Sequence, residues 1–230
     1  MARASAEGVR SFEHYDDYFD TSAGVVAVSD QVTLAGAFAR DKTAIVPTLI
    51  AREWRRRSLN EAMAMLDDPR QRAPMRSAGI SARTVEVWRR KVSLAQLEPP
   101  LDWVPAWNAG VSFVRLAYRN GVSVLPGTDL GVPFIYPGRS LLDELESFVD
   151  DLHLTPREAI AAATVAPARW FGLEDSIGSV ASGKLADIVL LGSDPLARIG
   201  NLHDVIGVMI RGRYYDRLAL PRLTLTLASE

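Results

Sequence analysis

Three short apolar segments, separated by long stretches of helical pattern, most constrain what this 230-residue chain can fold into. They span residues 9–13, 43–50 and 122–128, and they are rich in the β-branched and aliphatic side chains that favour strands. The predicted helices between them span residues 29–42, 52–67, 81–97 and 106–119. Because strands that alternate with helices form parallel sheets or barrels, the first part of the chain is predicted to be an α/β structure.

The last third of the sequence changes character. A helix is predicted over 140–152, and another starts with Thr155 as N-cap and Pro156 at its first position and ends near Gly172. Two short strands are then predicted around the turn "ASGKLAD", followed by a strand pair in "DVIGVMIRGRYYD" that turns at Arg211–Gly212. This pattern is typical of a small β module, with a domain boundary near residue 175.

Composition excludes several classes of function. The chain has no cysteine, which excludes a disulfide framework, a thiolate metal site and a cysteine nucleophile. Its net charge of −2, with the basic stretch "AREWRRRSLNEAM" interpreted as a solvated helix face, predicts no binding of nucleic acid. No apolar run approaches the roughly 18 residues of a membrane span, so no membrane association is expected. The first residues lack the apolar core of a signal peptide, which makes a cytoplasmic location the default expectation.

Two residues stand where reactive groups lie in βα-barrels, just past the carboxyl ends of strands. His14 follows the apolar segment 9–13, and Asp129 follows 122–128 in "GVSVLPGTDLG". An imidazole and a carboxylate are both good ligands for Zn²⁺-like ions. Position alone favours a structural or surface histidine and a turn-forming or helix-capping aspartate over two metal ligands.

Longer motifs carry a resemblance to a known family. "GVSVLPGTDLG" is similar to the last barrel strand of the metal-dependent amidohydrolases, in the branch that contains imidazolonepropionase and prolidase-like enzymes. The segment from "SLLDELESFVDDL" through "LTPREAIAAATVAPARWFGL" to "GKLADIVLLGSDPL" resembles the continuation of that family, while "VRSFEHYDD" and "IVPTL" resemble its sixth and seventh strands. The match runs along most of the chain in the family's order, and residues 51–110 are its least diagnostic part.

The resemblance implies a chemistry. His14 matches the sixth-strand metal ligand, and Asp129 matches the eighth-strand aspartate that binds or approaches the metal. The implied cofactor is a divalent metal, most simply zinc, as one or two ions in the complete enzyme. The implied activity is hydrolysis of carbon–nitrogen bonds in cyclic amides, amidines or dipeptides, in which a metal-activated water attacks the substrate carbon and Asp129 acts as general base and then general acid.

The substrate is expected to be a small molecule. Tyr136 and Arg139 lie in the loop after Asp129, where they are candidates for substrate binding; a solvated loop is the alternative. The sequence does not indicate which substrate is used.

Part of the family pattern is missing from these 230 residues. The histidines are His14, His153 and His203, so the family's His-x-His pair is absent, and the last two are interpreted as a helix cap and a surface residue. The predicted fold is therefore a partial (β/α)8 barrel, strands six to eight in residues 1–175 with a helical insertion at about 51–120. Residues 176–230 are predicted to be the carboxyl-terminal half of a small β-sandwich module.

Two interpretations of function follow from the missing ligands. In the first, the chain is a C–N hydrolase that acts when its metal site is complete. In the second, it is a truncated, catalytically silent remnant, or one half of a split enzyme that needs a partner chain to supply barrel strands one to five.

Overall fold

A computed structural model of the chain describes residues 1–14, 28–54, 58–97 and 103–220. The α-helices, in chain order, are α1 (Ala2–Ala6), α2 (Val28–Asp41), α3 (Ile50–Glu53), α4 (Leu59–Asp67), α5 (Arg72–Ser77), α6 (Ala82–Ala95), α7 (Trp103–Arg119), α8 (Arg139–Asp150), α9 (Pro156–Ala163) and α10 (Val165–Phe171). The strands are β1 (Ser11–Glu13), β2 (Ala44–Val46), β3 (Ile188–Leu191), β4 (Val205–Ile210) and β5 (Arg213–Asp216). Within the described ranges, no helix is both long enough and apolar enough to cross a membrane.

The chain forms two compact units, each made of three separate segments. Unit 1 consists of Met1–Leu49, Asp102–Gly127 and Glu144–Ser179. Unit 2 consists of Ile50–Leu101, Thr128–Asp143 and Val180–Glu230. The domain boundary expected near residue 175 stays a prediction.

Unit 1 contains the parallel strands that the sequence predicts. β1 pairs with β2 in parallel register, with Ser11 opposite Ala44. The third segment adds to the other side of β2 through a parallel bridge between Ile45 and Val124. The α/β class is thereby confirmed. The third strand is shorter than the predicted 122–128, because Pro126 has no N–H to donate to a ladder.

Aromatic side chains join the sheet of unit 1 to its helices. Phe12 of β1 stacks on Phe38 of α2 with 5.0 Å between ring centroids. Phe38 also meets Phe113 of α7 edge-on at 6.4 Å. Phe38 and Phe113 are fully buried, so this contact forms the centre of the core of unit 1.

The helical part of unit 2 differs from the predicted pattern. The helix expected over 52–67 is two helices, because Ser58 has extended backbone and caps a new helix. Ser58 accepts a hydrogen bond from the Glu61 N–H, and the Glu61 carboxylate accepts one from the Ser58 N–H, which completes a capping box. A further helix, α5, lies between the two that were predicted around it.

The helix predicted from Thr155 to Gly172 also divides. Thr155 is its N-cap with Pro156 at the first position, and Gly172 ends the segment with φ at 71°, all as predicted. The helix is interrupted at Thr164, between α9 and α10. Pro167 explains the break, because in one continuous helix its ring would clash with the carbonyl of Ala163, whereas it is tolerated in the first turn of a new helix.

The β module of unit 2 is a three-stranded antiparallel sheet in the order β3–β4–β5. The predicted turn at Arg211–Gly212 is confirmed, with positive φ at both residues as a type I′ hairpin requires. The prediction of a strand before "ASGKLAD" is wrong, because residues 177–187 form turns and a loop. The expected β-sandwich is not seen either: up to residue 220, the strands described in this module make one sheet.

Candidate active site

His14 lies directly after β1, at the carboxyl end of the parallel strands of unit 1. Its backbone N–H donates to the carbonyl of Val46 at the end of β2, with N···O at 2.9 Å. Its ring Nδ1 lies 2.8 Å from Oγ1 of Thr48. When Nδ1–H donates to this hydroxyl, Nε2 carries the lone pair that can bind a metal ion. The hydroxyl therefore helps to fix the orientation of the ring.

Thr48 is held in turn by its neighbours. The residue is buried, and the N–H of the next residue, Leu49, donates to Oε1 of Glu144 at 3.0 Å. The Glu144 side chain is completely buried, which is costly for a carboxylate unless it accepts hydrogen bonds. Glu144 is the first residue of α8 that belongs to unit 1, and its hydrogen bond anchors the loop that carries Thr48.

Gly127 marks a close approach of the backbone at the same edge of unit 1. A Cβ atom at this position would lie 2.5 Å from Cγ1 of Val46 and 3.2 Å from Cγ2 of Thr48. Real Cβ atoms do not approach a carbon so closely, so a glycine is required where the third strand ends.

Three residues at or just after the strand ends of the candidate site have strained backbone conformations. His14, Thr48 and Asp129 have φ values of 63°, 49° and 50°. Positive φ is uncommon for residues other than glycine, and for a β-branched residue such as Thr48 it is a genuine outlier. Strain of this kind costs of order 1–3 kcal/mol per residue and is found mostly at functional sites. His14 and Asp129 follow predicted barrel strands, and Thr48 lies two residues after the observed end of β2.

Asp129 lies in unit 2, at the start of a tight loop. Its carbonyl accepts a hydrogen bond from the N–H of Val132 at 3.2 Å, and Gly131 has φ at 118°. The side chain of Lys91 on α6 donates to the carbonyl of Gly131 at 3.0 Å. The helical insertion therefore holds the loop that carries the candidate catalytic carboxylate.

The two candidate substrate-binding residues lie further along this loop. Tyr136 is half-buried, and burial raises the pKa of its phenol, an effect that the nearby Arg139 partly opposes. The side chain of Arg139 is largely exposed and lies 3.7 Å from the Asp143 carboxylate, one turn along α8. The guanidinium is thus partly neutralised within its own helix.

His203 agrees with its interpretation as a surface residue. It is exposed in unit 2, and its Nε2 lies 3.4 Å from Oδ1 of Asp143. Both are ligand types for metals, and Glu146 follows one helical turn after Asp143 on α8. Solvated acidic groups of this kind are common without an ion, so the pair does not define a metal site.

The predicted site residues are thus distributed over both units. His14 lies in unit 1, and Asp129, Tyr136 and Arg139 lie in unit 2. Thr48 and Glu144 were not predicted as site residues, although both lie in the motifs "IVPTL" and "SLLDELESF". A carboxylate among apolar residues at helical spacing is the signal that could have found Glu144.

Comparison with known proteins supports a relationship along much of the chain. The model of the amidohydrolase family matches residues 106–214. Imidazolonepropionase from Pseudomonas paraeruginosa is 44% identical over 71 residues, which cover 31% of this chain and 17% of that protein. Imidazolonepropionase from Symbiobacterium thermophilum is 50% identical over 84 residues, 36% of this chain and 20% of that protein. The matched part of the chain thus spans a fifth or less of these curated relatives.

Solved structures extend the likeness to almost the full chain. A crystal structure of a Xaa-Pro dipeptidase with methionine bound in its active site is 25% identical, with a TM-score of 0.60 over 93% of this chain and 41% of that one. A bottromycin amidohydrolase, at 22% identity, shares the fold with a TM-score of 0.61 over 99% of this chain and 51% of that one. The chain is therefore similar to proteins of the amidohydrolase superfamily and corresponds to part of their length.

Proposed function

We propose that the chain is part of a metal-dependent hydrolase that cleaves carbon–nitrogen bonds in a small molecule, in the manner of an imidazolonepropionase or a prolidase-like enzyme. The observation that carries the proposal is the strained, hydrogen-bonded arrangement at the strand ends. The contact between the His14 ring and the buried Thr48 is evidence in addition to the resemblance to the family, which does not by itself require it. The resemblance to the family also supports the assignment of β1, β2 and the segment ending at Gly127 as barrel strands six to eight.

The donors present fit a divalent metal, most simply zinc. The ring of His14 has one nitrogen hydrogen-bonded to Thr48, as metal-binding histidines often have a partner for their second nitrogen, and the Asp129 carboxylate is of a ligand type that zinc accepts. A bound divalent ion would supply a Lewis acid and lower the pKa of a water that it binds.

Asp129 has two tasks in this scheme. Its carboxylate accepts the proton of the attacking water, and the resulting carboxylic acid returns that proton to the departing nitrogen. A carboxylate on a short, braced loop can do both, because the same oxygen stays in place between the two transfers.

Two donors are fewer than the three or four that hold zinc tightly. We therefore propose that further ligands come from residues outside this sequence, in the same polypeptide or in a partner chain. The alternative function, a silent remnant or one half of a split enzyme, is favoured by one observation, the absence of a His-x-His pair from the 230 residues.

The experiment is a hydrolysis assay of the zinc-loaded protein on dipeptides, cyclic amides and N-acyl amino acids, with release of amine as the readout. Asp129→Asn is expected to lower turnover by about 10²–10⁴-fold, because the amide keeps the shape but cannot accept a proton. Asp150→Asn, on the same chain at the end of α8, is the matched control and should retain activity. An Asp129→Asn variant with more than about a tenth of the original rate would contradict the assigned role, and an inactive chain that gains activity only with added partner would support the split form.

A further inference from the structure

Unit 2 contains a cavity of about 360 Å³ between the helical insertion and the loop after Asp129. Residues of α3, α4, α5, the loop and the start of α8 line it. They are Ile50, Glu53, Trp54, Met65, Pro74, Met75, Ala78, Pro133, Phe134, Tyr136, Arg139, Ser140 and Asp143. All of them belong to unit 2, and none has a role in the proposed proton transfers.

Five of the thirteen described residues that line the cavity are aromatic or contain sulfur. Trp54, Phe134 and Tyr136 contribute rings, and Met65 and Met75 contribute thioethers. Aromatic rings and methionine sulfur both make favourable contacts with the edge or face of a further ring. A wall of this composition favours an aromatic guest over an aliphatic one of the same size.

The wall is fixed before any ligand arrives. Trp88, buried in α6, packs against Phe134 and Tyr136, with 5.8 Å between ring centroids in each case. The N–H of Tyr136 donates to Oγ of Ser140 at 2.9 Å, and the N–H of Ser140 donates to the carbonyl of Tyr136 at 3.0 Å. A preformed site loses little conformational entropy on binding.

The charges at the cavity select against an anion. Glu53 and Asp143 bring two carboxylates, and Arg139 brings one guanidinium that lies beside Asp143. The lining therefore carries one formal negative charge in excess. A neutral group can enter, whereas a carboxylate would meet repulsion and lose its hydration.

The cavity is tied to the candidate catalytic residue through the loop itself. Pro133, the first loop residue in its wall, follows Asp129 by four positions, and the turn between them is closed by the hydrogen bond from Val132 to Asp129. A group bound in the cavity would thus contact the same hydrogen-bonded loop that carries the Asp129 carboxylate.

We propose that this cavity binds an uncharged aromatic group of the substrate, next to the C–N bond that is cleaved. The assignment of the group to a substrate rests on the proposed function, whereas binding of the ring itself depends only on unit 2. At about 360 Å³ the cavity is at the small end of the range for ligand sites, roughly 300–1,000 Å³, which suits one ring with a short linker.

Binding is tested on the full chain with probes that contain no C–N bond to cleave. The chain has five methionines, so ¹³C-methyl labelling gives a sparse spectrum in which Met65 and Met75 report on the cavity and Met1 and Met209 serve as internal controls. Titration with benzyl alcohol should give saturable ring-current shifts at Met65 and Met75 and none at the controls. Shifts of equal size at all the methionines, or none at Met65 and Met75, would overturn the proposal.

Matched probes test the chemical class. Phenylacetate carries the same ring with a negative charge, and cyclohexylmethanol has the same size without aromaticity. Both are expected to bind at least about 5-fold more weakly than benzyl alcohol. Equal or tighter binding of cyclohexylmethanol would refute the aromatic preference, and tighter binding of phenylacetate would refute the argument from charge.

Filling the cavity tests its location. Ala78→Trp should weaken benzyl alcohol binding at least 10-fold, whereas Ala64→Trp, at an exposed position of α4, should leave it unchanged. If Ala78→Trp does not fold by circular dichroism, Met65→Trp fills the same space from a helix. Full-strength binding to a folded filled variant would show that the ring binds elsewhere.

Binding and catalysis can fail separately. Benzyl alcohol should bind Asp129→Asn as it binds the original chain, because the carboxylate is not part of the lining. Probe binding without hydrolysis of any substrate would uphold the cavity and count against the proposed function. Asp129-dependent hydrolysis with no preference for aromatic over aliphatic side groups in kcat/KM would count against the cavity as a substrate site.

Discussion

Thr48 shows how a single residue can be unfavourable for its own conformation and still be useful to its neighbours. It is β-branched, buried and held at φ of 49°, a combination that the surrounding structure has to stabilise. Its hydroxyl contacts Nδ1 of His14. The N–H of the next residue, Leu49, donates a hydrogen bond to the Glu144 carboxylate, which holds the backbone in place. The strain places the hydroxyl, so Thr48 acts on the site through His14.

Removing the Thr48 hydroxyl tests this role. Thr48→Val keeps the shape and the backbone strain but removes a hydrogen-bond partner of Nδ1, so we expect the tautomer ratio of the His14 ring to change. ¹⁵N chemical shifts of the imidazole at pH above its titration range measure the tautomer ratio directly. Loss of such a partner typically lowers metal affinity or activity about 10–100-fold.

Thr33→Val is the matched control for this experiment. Thr33 is an exposed threonine of α2 whose hydroxyl donates to the carbonyl of Ser29, so its removal should leave the His14 ring unchanged. An unchanged tautomer ratio in Thr48→Val would mean that other contacts orient the ring.

The difference between His14 and Thr48 explains which site residues the sequence could predict. His14 and Asp129 were found because their position after an apolar strand is a local signal. The hydroxyl of Thr48 and the buried carboxylate of Glu144 matter only through hydrogen bonds to residues 34 and 95 positions away. A local sequence pattern cannot predict such long-range pairs. Nor does the sequence around Thr48 indicate that this residue has a positive φ.

At the scale of elements, the breaks between helices were harder to predict than the helices themselves. α2, α6, α7 and α8 lie close to their predicted ranges because the apolar period of each is long and regular. The divisions at Ser58 and Thr164 depend on single residues, a capping serine and a proline three positions into the next helix. A periodic pattern that continues across such a residue hides the break.

The capping box at α9 gives a prediction that depends on pH. Glu158 accepts hydrogen bonds from the side chain and backbone of Thr155, and these, with a smaller contribution from Tyr118, hold the pKa of the Glu158 carboxyl below its usual range. A carboxyl whose pKa is lower in the folded state stabilises the protein above its unfolded pKa, and that stability is lost as pH falls through the folded value. Glu158→Gln should therefore be less stable than the original chain near neutral pH, with a difference that vanishes in acid.

Urea denaturation followed by circular dichroism at a series of pH values measures this difference. Thr155→Ala removes the other half of the box and should cost about 1 kcal/mol in the free energy of unfolding at neutral pH. A gap between Glu158→Gln and the original chain that stays constant into strong acid would show that the charge of Glu158 is not what stabilises the cap.

At the scale of the whole molecule, the β module presents an open edge. β3 pairs with β4 on one side, and among the strands that the structure describes it has no neighbour on the other. Val189 and Leu190 in this strand are 57% and 47% exposed. A flat edge with exposed apolar side chains is a template for pairing with another chain.

We therefore expect the chain to self-associate in a concentration-dependent way. Size-exclusion chromatography with light scattering should give species larger than the 25.2 kDa monomer. Val189→Lys should shift them toward the monomer, because a charged residue on an edge strand opposes pairing. Val87→Lys, an equally drastic change at an exposed position of α6, should not. A monomer at all concentrations would contradict the expectation.

The interleaving of the two units has a consequence for how the gene can be divided. Six segments alternate along the chain, so it passes from one unit to the other five times. A fragment that ends at Ser179 is the shortest from the first residue that holds all of unit 1, and it already carries residues 50–101 and 128–143 of unit 2. No single cut in the gene or in the polypeptide can therefore separate either unit intact. A shortened or recombined version of this protein has to exchange internal segments rather than ends.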